Sequence, residues 1–85
     1  MRGRFGASIA WGYHTAARLS AWEISKNEKG VLSLAGTCSE ADALKCKQPD
    51  LLLAIPRKGG FWIFPVRSLT LAGRQVAATL GPIEH

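Results

Sequence analysis

Residues 51–66 read Leu51-Leu52-Leu53-Ala54-Ile55-Pro56-Arg57-Lys58-Gly59-Gly60-Phe61-Trp62-Ile63-Phe64-Pro65-Val66. Two apolar runs, Leu51–Pro56 and Phe61–Val66, flank the polar, glycine-containing tetrad 57–60. Each run is too short for an independently stable helix and rich in strand-forming residues, and the tetrad is turn chemistry. The stretch predicts a β-hairpin that is apolar on both faces and therefore lies at the centre of the fold. Setting Leu53 opposite Ile63 pairs Ala54 with Trp62 and Leu52 with Phe64, so that large and small side chains alternate.

C-terminal to it, Pro65 cannot donate into a sheet ladder, which predicts an outward-facing edge or bulge position, or a strand end. A second hairpin follows. Leu69 and Leu71 alternate with Ser68 and Thr70, Ala72-Gly73-Arg74-Gln75 turns, and Val76, Ala78 and Leu80 alternate with Ala77 and Thr79. Leu71 opposite Val76 and Leu69 opposite Ala78 puts every apolar group on one face.

N-terminal to it, residues 37–50 break the β pattern. Ser39, with Asp42 three residues on, resembles a helix cap, acids lead and lysines trail, and Pro49 stops the segment. This predicts one short helix docked by Leu44. Earlier still, Ala16–Ser25 and Val31–Gly36 form a hairpin around Lys26-Asn27-Glu28-Lys29-Gly30, a type I turn closed by a glycine in the left-handed region. The alternation slips phase between Leu19 and Trp22, which fits a β-bulge or a strand partly covered on both faces. Ala7–Tyr13 is a weak strand, and residues 1–6, with Arg2, Gly3 and Arg4, read as a loose arm. The expected architecture is a single domain over 1–85, mostly β at the boundary with α+β. It is a compact antiparallel sheet or small open barrel of three hairpins and one short helix.

The chain of 85 residues carries a formal charge of +5, unevenly spread. Residues 1–17 hold Arg2 and Arg4 and no acid, residues 18–50 are balanced, and residues 51–83 hold Arg57, Lys58, Arg67 and Arg74 and no acid. Such an excess favours acidic partners, nucleic acid or an acidic protein surface. No apolar run approaches the ~18 residues of a membrane span. Gly6, Gly12 and His14 interrupt the apolar stretch after Arg4, so a signal peptide is not expected and the predicted location is the cytoplasm. Cys38 and Cys46 flank the expected helix at a spacing too long for a disulfide and lack histidines for a zinc site, so they read as two unlinked thiols.

Catalysis has little to stand on. His14 is the only histidine away from the C-terminus, and the sequence contains no phosphate loop opening a helix, paired metal ligands or nucleophile elbow. The expectation is a protein that is not an enzyme, with no cofactor and no metal. Binding is the better-supported class. Arg57, Lys58 and Arg74 at hairpin tips, Arg67 nearby, and Phe61 or Trp62 as anchor form a candidate contact surface. The same residues are the ingredients of a nucleic-acid stacking platform, although the alternation over Phe61–Phe64 lets at most two of the three aromatics face solvent. An unpaired sheet edge offers strand addition or a homodimer instead, and a patch of Trp11–Tyr13 with Trp22 offers a further protein contact.

Gln48-Pro49, Leu51-Leu52-Leu53, Pro56, Gly60, Trp62, Pro65-Val66 and Leu69, ending in Ala78-Thr79-Leu80-Gly81-Pro82, resemble the short proteins of phages and other mobile elements. The resemblance covers about the second half of the chain and consists of turn and core residues, so no functional residue carries over. It implies a protein that acts without catalysis by blocking a host protein or ribonucleoprotein complex, as anti-CRISPR proteins do. The alternative is a small basic nucleic-acid-binding β module.

Overall fold

The computed structural model describes residues 2–3, 6–12, 14–47 and 49–83. Arg4 of the expected arm, Tyr13 of the aromatic patch and Gln48 of the phage-like motif lie outside the described residues. The elements are β1 (Arg2–Gly3), β2 (Ser8–Trp11), β3 (His14–Arg18), β4 (Ala21–Lys26), β5 (Leu32–Thr37), α1 (Glu40–Lys45), β6 (Leu51–Arg57), β7 (Gly60–Ala72) and β8 (Gln75–Leu80). The strands form one antiparallel sheet in the order β1-β4-β5-β8-β7-β6-β2-β3. The mostly β class with one short helix is therefore the observed one.

The sheet is curled. β3 is last in the order, yet only Leu19 and Ser20 separate it from β4, second from the other margin. Two hydrogen bonds tie down this corner: the Leu19 N–H donates to the Ala7 carbonyl at 3.0 Å and the Ser20 N–H to the Thr37 carbonyl at 2.8 Å. On the far side β7, 13 residues long, makes the complementary bend. Its first half pairs with β6 and its second half with β8, and a register shift between Val66 and Ser68 marks the change of partner. Inside the curl, Ile9, Leu34, Leu53, Val76 and Cys38 are fully enclosed. Each large aliphatic among them contributes roughly 1.5–3 kcal/mol by leaving water.

The structure differs from several sequence-based expectations. The central hairpin forms, but its register is Leu53↔Phe64, Ala54↔Ile63 and Ile55↔Trp62. The reason is the turn. Arg57 pairs with Gly60, so the connection is the two residues Lys58-Gly59 rather than the whole tetrad, and Gly59 sits at φ 85, where a glycine is unstrained. The phase slip near residue 19 is a corner between two strands, not a bulge within one. Consequently β3 turns back to pair with β2, and this β2–β3 hairpin is a fourth one that the sequence reading lacks. Arg2 and Gly3 are not a loose arm; they pair with Glu23 and Trp22 of β4.

Several other local predictions match the structure. Leu71↔Val76 and Leu69↔Ala78 are the observed β7–β8 pairs, and Ile24↔Leu34 anchors β4–β5. The turn between β4 and β5 has the expected form, with the Gly30 N–H donating to the Asn27 carbonyl at 3.0 Å and Gly30 at φ 81. Asn27 Oδ1 adds acceptance from the Lys29 and Val31 N–H groups. In α1 the Asp42 N–H donates to Ser39 Oγ at 3.1 Å, as a helix cap should. The docking residue is different, however. Leu44 is 70% exposed, and Ala43 and Cys46 are the buried contacts. Positions three or four apart share one face of a helix, and here Ala43 and the C-cap residue Cys46 occupy the inward one.

Candidate binding surface on the central hairpin

The register of the central hairpin decides which side chains are available. Residues on either side of a two-residue loop form a hydrogen-bonded pair, and such pairs alternate with non-bonded ones along an antiparallel ladder. Arg57–Gly60, Ile55–Trp62 and Leu53–Phe64 are then the bonded pairs. Pro56–Phe61, Ala54–Ile63 and Leu52–Pro65 are not, so both prolines fall where no ladder N–H is required. The same parity puts Trp62 and Phe64 on the inner face with Leu53 and Ile55, and Phe61, Ile63 and Pro65 on the outer face.

Burial follows that division. Phe64, Leu53 and Ile55 are buried, and Trp62 is half-buried and packed against the core, so its indole is committed largely to the interior. Phe61 is 61% exposed. It stands beside Pro56, one pair in from the exposed Arg57 and Lys58. Arg67, the extra residue at the β7 register shift, lies at the other end of the outer face. A methyl group placed on Gly81 would sit 2.7 Å from Pro65 Cγ and 3.1 Å from Arg67 Nε, which locates the guanidinium next to the Pro65 ring. Phe61, Ile63, Pro65 and Arg67 thus form a row along β7 with Arg57 and Lys58 at its tip.

The structure does not bring Arg74 into this group. Arg74 lies in the β7–β8 turn, at the opposite end of the 13-residue strand from Lys58. Its Nε donates to the Cys38 carbonyl at 3.2 Å while its own carbonyl accepts the Cys38 N–H at 3.0 Å. Of the six residues singled out in the sequence, Phe61 and Arg67 lie on the outer face of β7, Arg57 and Lys58 stand at the hairpin tip with Arg57 in line with Ile55 and Trp62 on the opposite face, Trp62 lies mainly behind the outer surface, and Arg74 is elsewhere. Ile63 and Pro65 complete the surface. The two prolines were the signal for them, since they fix the register and hence the outward parity.

The electrostatics are one-sided. Among the described residues the ion pair is Lys45 Nζ to Asp42, at 3.9 Å, far from the hairpin in sequence and on α1. Arg57, Lys58 and Arg67 have no carboxylate partner among the described residues. The thiols offer little chemistry. Burial, and next the Asp42 charge, push the Cys38 thiol above its ordinary value, outweighing the opposite pull of Arg74. Burial, then Cys38 and Asp42, do the same to Cys46. Both cysteines are free and buried, and a raised pKa disfavours the reactive thiolate. His14 is exposed and its ring lies 6.0 Å from that of Trp11. No three His, Cys, Asp or Glu residues cluster as a metal site among the described residues, and no helix there is long and apolar enough to cross a membrane.

An open cavity of about 720 Å³ lies elsewhere, along β4 and β5, and is lined by Arg2, Gly3, Trp22, Glu23 and Thr37 among others. Trp22 of the expected aromatic patch is 8% exposed and supports that groove from within rather than joining Trp11. No protein-family model, curated protein or solved structure matches the chain.

Proposed function

We propose that the chain is a non-enzymatic binding protein that sets its β6–β7 hairpin against an acidic surface of a host protein or ribonucleoprotein complex. By occupying that surface it blocks the complex, in the manner of an anti-CRISPR inhibitor. The observation that carries this reading is the exposed Phe61 ring next to the hairpin tip that holds Arg57 and Lys58, with Arg67 further along β7 and, among the described residues, no carboxylate partner for any of the three cations. An exposed aromatic near cations that have no carboxylate partner among the described residues is the composition of an interface hot spot that selects its partner by charge. A phage or mobile-element origin, implied by the resemblance of the second half of the chain, supplies the blocking role.

The test is affinity capture from the host with wild-type protein and with the Arg57→Glu/Lys58→Glu variant in parallel. A partner retained by the first and lost by the second supports the reading; equal capture by both overturns it. The same tip favours a second reading, direct binding of single-stranded nucleic acid, because a base can stack on Phe61 while the cations track phosphates. A partner-free gel shift that weakens steeply with salt would select that alternative.

A further inference from the structure

β7 has two margins, and among the described residues one of them carries no hydrogen-bond partner over Phe61–Ile63. Its ladder with β8 begins at Val66↔Leu80. One further bond, the Gly81 N–H to the Pro65 carbonyl at 2.8 Å, extends it by one residue. By the parity established above, the N–H and C=O groups of Phe61 and Ile63 point to that same side, away from β6. Among the described residues nothing hydrogen-bonds to them there. The β3 margin of the sheet is occupied at one point instead: the Arg18 N–H of β3 donates to Asp42 Oδ2 of α1 at 3.2 Å.

We infer that the Phe61–Ile63 margin of β7 is a strand-addition site for an extended, acid-flanked peptide segment of the partner. This rests on the binding role proposed above and specifies how it is carried out. Two donors and two acceptors on alternate residues are what an added strand pairs with, and the outer-face side chains Phe61, Ile63 and Pro65 give its apolar positions something to lie against. Charge selects the occupant. Arg57 and Lys58 stand at one end of the margin and Arg67 at the other, so carboxylates at both ends of the incoming segment are matched. A second copy of this chain is disfavoured by the same charges. Antiparallel pairing of Phe61 with Ile63 across a twofold axis would set Arg57 of one copy towards Arg67 of the other, with like charges at both ends.

The experiment uses the full chain, 15N-labelled, and a blocked peptide Asp-Glu-Thr-Val-Thr-Val-Thr-Asp-Glu as probe. Strand addition predicts that the largest amide shifts fall on Phe61 and Ile63, and that a probe with Lys in place of its four acids binds at least about tenfold more weakly. Phe61→Pro deletes an edge donor without touching the β6 ladder and should cost about five- to tenfold in affinity relative to Phe61→Val, which keeps the N–H. Circular dichroism of both variants establishes that each is folded; if Phe61→Pro is not, N-methylation of the central valines of the probe makes the same test from the other side.

The inference is overturned if no amide shifts at millimolar probe. It is overturned equally if Phe61→Pro binds like Phe61→Val, or if both edge amides are already protected from exchange without probe or become so only as the protein dimerises. Should partner capture still be lost in Arg57→Glu/Lys58→Glu under any of those results, the hairpin remains the contact surface and only strand addition is discarded. If capture is unaffected as well, both readings go.

Discussion

The Arg74 guanidinium is held by the Cys38 carbonyl, and the Cys38 N–H by the Arg74 carbonyl, so the β7–β8 turn and the chain entering α1 are fastened at two points. A charged donor on a main-chain carbonyl is among the stronger hydrogen bonds a small protein makes. This arginine belongs to the fold, although its place at a hairpin tip makes it look like a contact residue in the sequence.

Arg74→Ala should therefore lower unfolding free energy by about 1–2 kcal/mol, read from urea denaturation, because it leaves a part-buried carbonyl without its donor. Partner affinity should be unchanged, since residue 74 is a full strand away from Lys58. A loss of affinity with stability intact would return Arg74 to the contact surface.

Arg57→Glu/Lys58→Glu should behave in the opposite way. Both side chains are exposed and make no ion pair among the described residues, so stability should move by no more than about 0.5 kcal/mol. Partner association should fall by at least about tenfold, mostly through a slower on-rate at low salt. Surface plasmon resonance at two ionic strengths checks this, and an equal loss at both would deny the electrostatic origin.

The helix offers a contrast between neighbours. Leu44→Gln should be close to neutral in stability, whereas Ala43→Leu should cost about 1–3 kcal/mol by overfilling the space against β3. Thermal melts of the two variants decide it. A large loss in Leu44→Gln would mean that this leucine is covered in solution.

Alkaline pH should weaken the fold through the cysteines. Unfolded thiols ionise around 9.0, and the folded ones hold their protons to higher pH because burial disfavours the thiolate. Above that value the unfolded chain binds fewer protons than the folded chain, so stability is fully present below about pH 9.0 and falls as pH rises through the folded values. Urea midpoints at pH 8 and pH 10 should show a steeper drop for the wild type than for Cys38→Ala/Cys46→Ala. Identical drops would remove the thiols as the cause.

How much of this was legible beforehand varies from residue to residue. The β7–β8 register could be read off because Ala72-Gly73-Arg74-Gln75 admits one turn and the flanking alternation is clean. The central register slipped by one because Arg57-Lys58-Gly59-Gly60 accommodates loops of different length. Pro56 and Pro65, both confined to non-bonded positions, were the available arbiters. The corner at Leu19-Ser20 had no glycine or proline to announce it, since a bend made by two strands sharing one core needs only a phase slip. Leu44 misled because a leucine on a helix is usually an inward residue, and on a six-residue helix the geometry of Ala43 and Cys46 decides instead. The cations at 57, 58 and 67 were visible as charge, but which of them share a surface depended on the bend in β7.

Leu19 and Ser20 carry one further implication. Because two residues bridge the outermost strand of one half and an inner strand of the other, neither half can be cut away and keep its shape. Cleaving or lengthening the chain at that bridge should unroll the curl into an open ribbon with adhesive borders, so a molecule nicked there should precipitate rather than reassemble.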